Sequence, residues 1–196
     1  YKEEIVDVAA AGARYIQVDE VPLAMLCDPT LREALQVDGE DPGRRVNQYI
    51  NLINACFRDR GEITIGLHLC RGNFKGQWLS AGGYDFIAER LFNELDVDAF
   101  FMEYDTARAG DFAPLAHMPK DRSAILGLIS SKTPVLENTD DLCHRIEDAA
   151  RHIPIERIGI SPQCGFASAV TGNPVTYDDQ VAKLRLVVET AEKIWN

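Results

Sequence analysis

Short apolar runs alternate along the chain with longer segments whose apolar residues recur every three to four positions, the pattern of parallel strands joined by crossover helices. The runs predict five strands: Tyr15 to Val18, Ile63 to Leu69, Ala99 to Glu103, Ala124 to Ser130 and Arg157 to Ile160. Helices are predicted over 31–38, 44–60, 84–95, 139–152 and 177–195. Tyr84, Ile87, Leu91 and Leu95 fall on one helical face, and Leu184, Val187, Val188, Ala191 and Ile194 on another. Thr176 with Asp179 three residues later resembles a capping box. No repeat, low-complexity segment or linker interrupts the pattern, so residues 1–196 read as one domain.

Each predicted strand closes in polar or reactive residues: Val18-Asp19-Glu20, Leu67-His68-Leu69-Cys70, Met102-Glu103-Tyr104-Asp105, Ile129-Ser130-Ser131-Lys132 and Ser161-Pro162-Gln163-Cys164. In parallel α/β architectures the loops after the carboxyl ends of the strands converge on the site, so five strand ends point at one place. A (β/α)8 barrel takes eight such units and typically ~250 residues. This chain supplies five and opens on Tyr1. The expectation is α/β, the C-terminal portion of a TIM barrel, with the barrel's N-terminal part outside this sequence. A self-contained five-stranded open sheet is the alternative.

Composition narrows the function classes. Against 20 Lys and Arg stand 31 Asp and Glu, a formal charge of −11, which excludes nucleic-acid binding by phosphate neutralisation. With 46% hydrophobic and 26% charged residues the chain can bury a core. No run approaches the ~18 apolar residues of a membrane span, and Tyr1-Lys2-Glu3-Glu4 has neither the basic nor the apolar region of a leader. A cytoplasmic protein with no membrane partner is expected, and a homo-oligomer is compatible with everything above. The five cysteines are odd in number and widely spaced, which argues against a disulfide framework. Cys27 and Cys56 lie in apolar stretches and Cys143 in a helical pattern, where ordinary packing accounts for them.

Cys70 and Cys164 keep different company. His68 and Cys70 flank one residue at a strand end, so alternation places both side chains on one face. A strand histidine beside a cysteine is more often packing than ligation, but Glu103 and Cys164, each ending a later strand, would meet them at the same rim. A set of N, S, O and S donors suits zinc; iron–sulfur clusters want more thiolates, and calcium or magnesium none. Two thiolates and a carboxylate against a dication leave the site near −1, a poor Lewis acid for making hydroxide. Such a zinc suits the activation of an incoming thiol for alkyl transfer, because a coordinating thiol is deprotonated outright. Tyr104 and Asp105 are candidates to support the ligands from behind.

At these residues the chain resembles the cobalamin-independent methionine synthases. The resemblance covers the whole chain and is carried by Tyr15-Ile16-Gln17-Val18-Asp19-Glu20, His68-Leu69-Cys70, Phe101-Met102-Glu103 and Ser161-Pro162-Gln163-Cys164-Gly165-Phe166. It is strongest to the short, single-barrel members, which share Cys70-Arg71-Gly72-Asn73-Phe74 and Gln163-Cys164-Gly165-Phe166-Ala167-Ser168. The resemblance implies that His68, Cys70, Glu103 and Cys164 bind Zn2+ and that Asp19 holds the amino group of homocysteine, with Glu20 beside it a weaker candidate for substrate binding. It implies a methyltransferase of methionine biosynthesis, with a homocysteine-like thiol and a methyl donor, methylfolate or another, as partners. One departure stands out: where the long enzymes place a His-Ser-Pro element after a Val-Gly-Val strand, Leu126 to Pro134 puts Lys132 at the histidine's position. Lys132 is thus the candidate catalytic residue, as proton donor or electrostatic partner to the departing group.

Two further readings stay open: zinc-dependent alkyl transfer to or from another thiol, as in the coenzyme M transferases, and a catalytically silent protein with structural zinc. His117, His144 and His152 read as loop or helix-surface residues. Arg71, Asn73 and Lys75, which follow the metal motif, could grip a substrate carboxylate or belong to a solvated loop. No phosphate-cradling glycine motif occurs.

Overall fold

In the computed structural model, which describes residues 1–196, five parallel strands form one sheet in the order β1-β2-β3-β4-β5. They are β1 (Tyr15–Glu20), β2 (Thr64–Leu69), β3 (Ala99–Glu103), β4 (Ser123–Ile129) and β5 (Ile158–Pro162). The helices are α1 (Lys2–Ala10), α2 (Pro22–Met25), α3 (Pro29–Val37), α4 (Pro42–Phe57), α5 (Ala88–Glu94), α6 (Thr139–Ala149) and α7 (Tyr177–Trp195). Strands alternating with helices match the predicted fold class. No helix is long and apolar enough to cross a membrane.

Alternation along the strands divides the sheet into two chemically different faces. Ile65, Leu67, Leu69, Phe100, Met102, Ala124, Leu126 and Leu128 are fully buried on one face. They join Val46, Ile50 and Phe57 of α4, Leu91 and Phe92 of α5, and Leu142 and Ile146 of α6 in one cluster of 36 buried residues. The opposite face carries Gln17, Asp19, Gly66, His68, Phe101, Glu103, Gly127 and Ser161. Register keeps these residues abreast: Asp19 pairs with His68, His68 with Phe101, Glu103 with Gly127 and Gly127 with Ser161.

Helix starts follow from capping chemistry. Asp28 and Asp41 accept N–H bonds from Thr30 and Gly43 ahead of helices that begin at Pro29 and Pro42. These Asp-Pro pairs place both starts two residues earlier than apolar spacing predicts. Thr176 and Asp179 form the full capping box of α7, as expected. The predicted helix over 84–95 divides instead into a 3-10 turn at Tyr84–Phe86 and α5. Its first turn is diverted because Tyr84 is fully buried, with its hydroxyl bonded to the backbone at the end of β3. Helices α1 and α2 lie outside the predicted set.

The core makes a direct stability prediction. Phe100 is fully buried and meets Phe92 edge-on, ring centroids 5.0 Å apart. Phe100→Ala should lower unfolding free energy by about 3–5 kcal/mol, read from denaturant midpoints at constant m-value. An unchanged midpoint would place that ring outside the core.

Candidate metal centre and its charged support

The sheet's polar face ends in a cleft of about 670 Å³ lined by Asp19, His68, Cys70, Phe101 and Cys164 among others. One ligand atom each from His68, Cys70 and Cys164 lies within 4.8 Å of the others. A tetrahedral zinc with Zn–S near 2.3 Å and Zn–N near 2.0 Å sets its donors roughly 3.5 to 3.8 Å apart, so small inward movements of these side chains close the set. Two soft sulfurs and an imidazole fit that ion well. Cys164 reaches the cluster from a left-handed backbone conformation, φ 49°, which is costly for a residue with a Cβ and turns its sulfur back over the sheet.

Glu103 stands beside this cluster but is not one of the three converged donors. Its carboxylate is fully buried and accepts from the Arg71 backbone N–H at 2.8 Å, from Arg108, and from the Gln163 amide at 3.3 Å. Lys132 Nζ is 3.8 Å away. Lys132 is itself buried, 3% exposed, and lies 3.4 Å from Asp105 Oδ2. Asp105 also accepts from Arg108 at 2.8 Å and from the Ser130 hydroxyl at 2.8 Å. Two carboxylates and two cations thus compensate each other beneath the metal cluster. The Arg108 guanidinium is covered by the Trp78 ring at 4.5 Å.

Other candidates fall elsewhere. Asp19 lies on the cleft wall next to His68, its carboxylate accepting from Gln17 at 3.0 Å. Glu20, one residue on, faces the other way and accepts the Leu23 N–H at 2.6 Å in the first turn of α2, so the structure puts it away from the cleft. Tyr104 alternates away from Glu103 in the same manner. Its ring packs against Tyr84 and Phe112, and its hydroxyl has no protein partner, so it does not support the ligands. Arg71 is neither a carboxylate grip nor a solvated loop residue. It is fully buried, donates to Gly82 O and Tyr84, and stacks on the Tyr84 ring at 4.4 Å. Lys132 is not a solvent-facing loop lysine either.

Arg108 and Gln163 lie outside the sequence-based candidates. The buried pair Glu103 and Asp105 at one strand end was the available sign of Arg108, since two adjacent carboxylates demand cations. Gln163 had no sign beyond its place before Cys164.

The charges act on the titrating groups. Burial works against a charged His68, but the hydrogen bond with Cys70 and the charges of Cys70, Asp19 and Glu103 outweigh it and raise its pKa. The hydrogen bond from Cys164 and the neighbouring His68 pull Cys70 down against burial. Cys164 is pushed up by the same bond and by burial.

Residues 1–193 match the family model for the catalytic domain of the cobalamin-independent synthases. The chain is 41% identical to the uncharacterized protein YxjH of Bacillus subtilis, covering all of this chain and 52% of that protein. It is 25% identical to the 5-methyltetrahydropteroyltriglutamate–homocysteine methyltransferase of the same organism, over 98% of this chain and 22% of that enzyme. A solved structure from Listeria monocytogenes, a candidate vitamin-B12 independent methionine synthase, superposes with a TM-score of 0.76 at 32% identity. That match takes in all of this chain and 53% of the other. The chain thus spans about half the length of YxjH and of the Listeria protein, and its five βα units correspond to part of their barrel domain.

Glu20 supplies a pH test. Burial, opposed by the Leu23 N–H bond and reinforced by the charge of Cys70, raises its pKa from 4.5 to about 7. The folded protein then holds a proton that the unfolded chain has released, so stability falls as pH rises from about 4.5 to about 7 and levels off above. The fall amounts to roughly 3 kcal/mol at most. Glu20→Gln should remove that slope. Parallel stability curves for the two proteins between pH 4.5 and 7 would show that Glu20 is solvated.

Proposed function

This chain belongs to the cobalamin-independent synthase family, and on that premise we propose that it forms the metal-bearing part of a zinc-dependent S-methyltransferase acting on a homocysteine-type thiol. The observation that carries the reading is the convergence of His68, Cys70 and Cys164 from two strand ends onto one cleft. A zinc ion held there would take up a thiol sulfur and keep it deprotonated at neutral pH, the state in which sulfur attacks an alkyl carbon. Glu103 is the proposed fourth ligand, and the one that yields when the thiol enters, because it alone stands outside the converged set.

The chain's own residues prepare the acceptor. Asp19, abreast of His68, would pair with the ammonium of an amino-acid thiol whose sulfur is bound at the metal. Lys132 acts as an electrostatic partner: with Arg108 it offsets the Glu103 and Asp105 charges, so the anionic ligand set does not stand on an anionic base. The methyl donor is methylfolate or another methyl carrier approaching from the open side of the cleft. Two free thiols at the centre suit a reducing cytoplasm.

The open cleft favours exchange over a purely structural metal. A structural zinc site is closed to incoming ligands, whereas His68 and Cys164 here are only partly buried and line an open cavity. The protein should bind one equivalent of zinc, and His68→Ala, Cys70→Ser and Cys164→Ser should each lose it or hold it far more weakly. Full zinc in both cysteine variants, measured by metal analysis after dialysis, would remove the assignment.

Asp19→Asn should leave zinc content unchanged while weakening homocysteine binding about 10- to 150-fold, the worth of a charge-assisted bond of about 1.5–3 kcal/mol. A thiol lacking the amino group serves as control. If calorimetric titration shows equal losses for both thiols, Asp19 has no part in amino-group recognition.

A further inference from the structure

Gln163 is 1% exposed, yet it is neither one of the metal donors nor a core side chain. Three features fix its position. Its backbone N–H donates to Ile129 O at 2.8 Å, and its backbone carbonyl accepts from the Ser131 hydroxyl. Its side-chain Oε1 rests against Gly127, so closely that a Cβ at residue 127 would sit 2.1 Å from it. With the carbonyl end seated there, the amide nitrogen points between two groups: Glu103 Oε2 at 3.3 Å and Cys164 Sγ at 3.4 Å. An amide nitrogen carries two hydrogens, and both are directed, one to each group.

We propose that Gln163 is a positioning residue whose amide, seated on Gly127, holds the Cys164 sulfur and the Glu103 carboxylate at fixed spacing by donating one N–H to each. The inference rests on the reading that His68, Cys70 and Cys164 hold a metal. A hydrogen bond to a coordinating sulfur withdraws electron density from it, and partners one step behind the ligands set both their orientation and their donor strength. The same amide holds one oxygen of Glu103, so the carboxylate keeps its orientation beside the cluster. The glycine on β4 is therefore part of the site: its missing side chain is the seat of the amide.

Cobalt(II) in place of zinc makes the sulfur visible through its thiolate-to-metal charge-transfer absorption. Gln163→Met, close in size and without a donor, should keep one equivalent of cobalt and move that band to lower energy, because the unbonded sulfur is more electron-rich. Gly127→Ala should move it in the same direction by unseating the amide, and Gln163→Asn, too short to reach both groups from the same backbone, provides a third folded variant. Unchanged bands in the folded variants would overturn the role of Gln163 and leave the metal site standing. Loss of cobalt from a folded variant would likewise overturn it, by showing that Gln163 only shapes the loop. Absence of a thiolate band in the unaltered protein would overturn the metal reading itself.

Discussion

A fully buried carboxylate at the end of β3 sets the terms for everything around it. Glu103 has no exposure, and an ionised carboxylate without water must be met by donors or pay several kcal/mol. Four groups answer: the Arg71 backbone, Arg108, Lys132 and the Gln163 amide. Each requirement propagates. Arg71 must itself be buried and bonded, which draws in Tyr84 and Gly82 and breaks the start of α5. Arg108 and Lys132 bring two positive charges, which Asp105 balances. Removing either cation would strand a buried charge at a cost of about 3–5 kcal/mol.

This neutral base explains how the cluster above it can be rich in sulfur. His68 lies on the polar face of the sheet and Cys70 and Cys164 just past the ends of β2 and β5, while helices seal the other face, so the three side chains are anchored on one side and open on the other. Charge is anionic at the ligands and compensated beneath them. On the proposed reading, that arrangement would hold a soft cation without surrounding it with uncompensated carboxylates, as thiol alkylation requires.

The strands were legible in the sequence because each is a short apolar run that closes in polar residues and is followed by a segment of helical period. Ala99–Glu103 and the helix Tyr177–Trp195 have their predicted limits. Helix α1 was not legible: Lys2-Glu3-Glu4-Ile5 reads as a charged terminus, and only Ile5 of the helix is buried. The cleft residues were legible because alternation by two fixes which of Asp19 and Glu20, or Glu103 and Tyr104, faces the site. Applied to those pairs, the same rule assigns Glu20 and Tyr104 to the far face. What alternation cannot reach is the loop contacts. Arg71 and Lys132 look like surface residues in a linear sequence, and their burial depends on partners 32 and 27 residues away. The seat of Gln163 on Gly127 depends on two strands lying side by side.

If the His68, Cys70 and Cys164 cluster holds a metal with a position open to a thiol, the thiol must enter the metal's coordination shell. X-ray absorption at the zinc edge, recorded on the zinc-loaded protein before and after addition of homocysteine, tests it most directly. Two sulfur scatterers near 2.3 Å are expected before addition and three after, with one light atom lost. A coordination shell with fewer than two sulfurs, or one that homocysteine leaves unchanged, would contradict it.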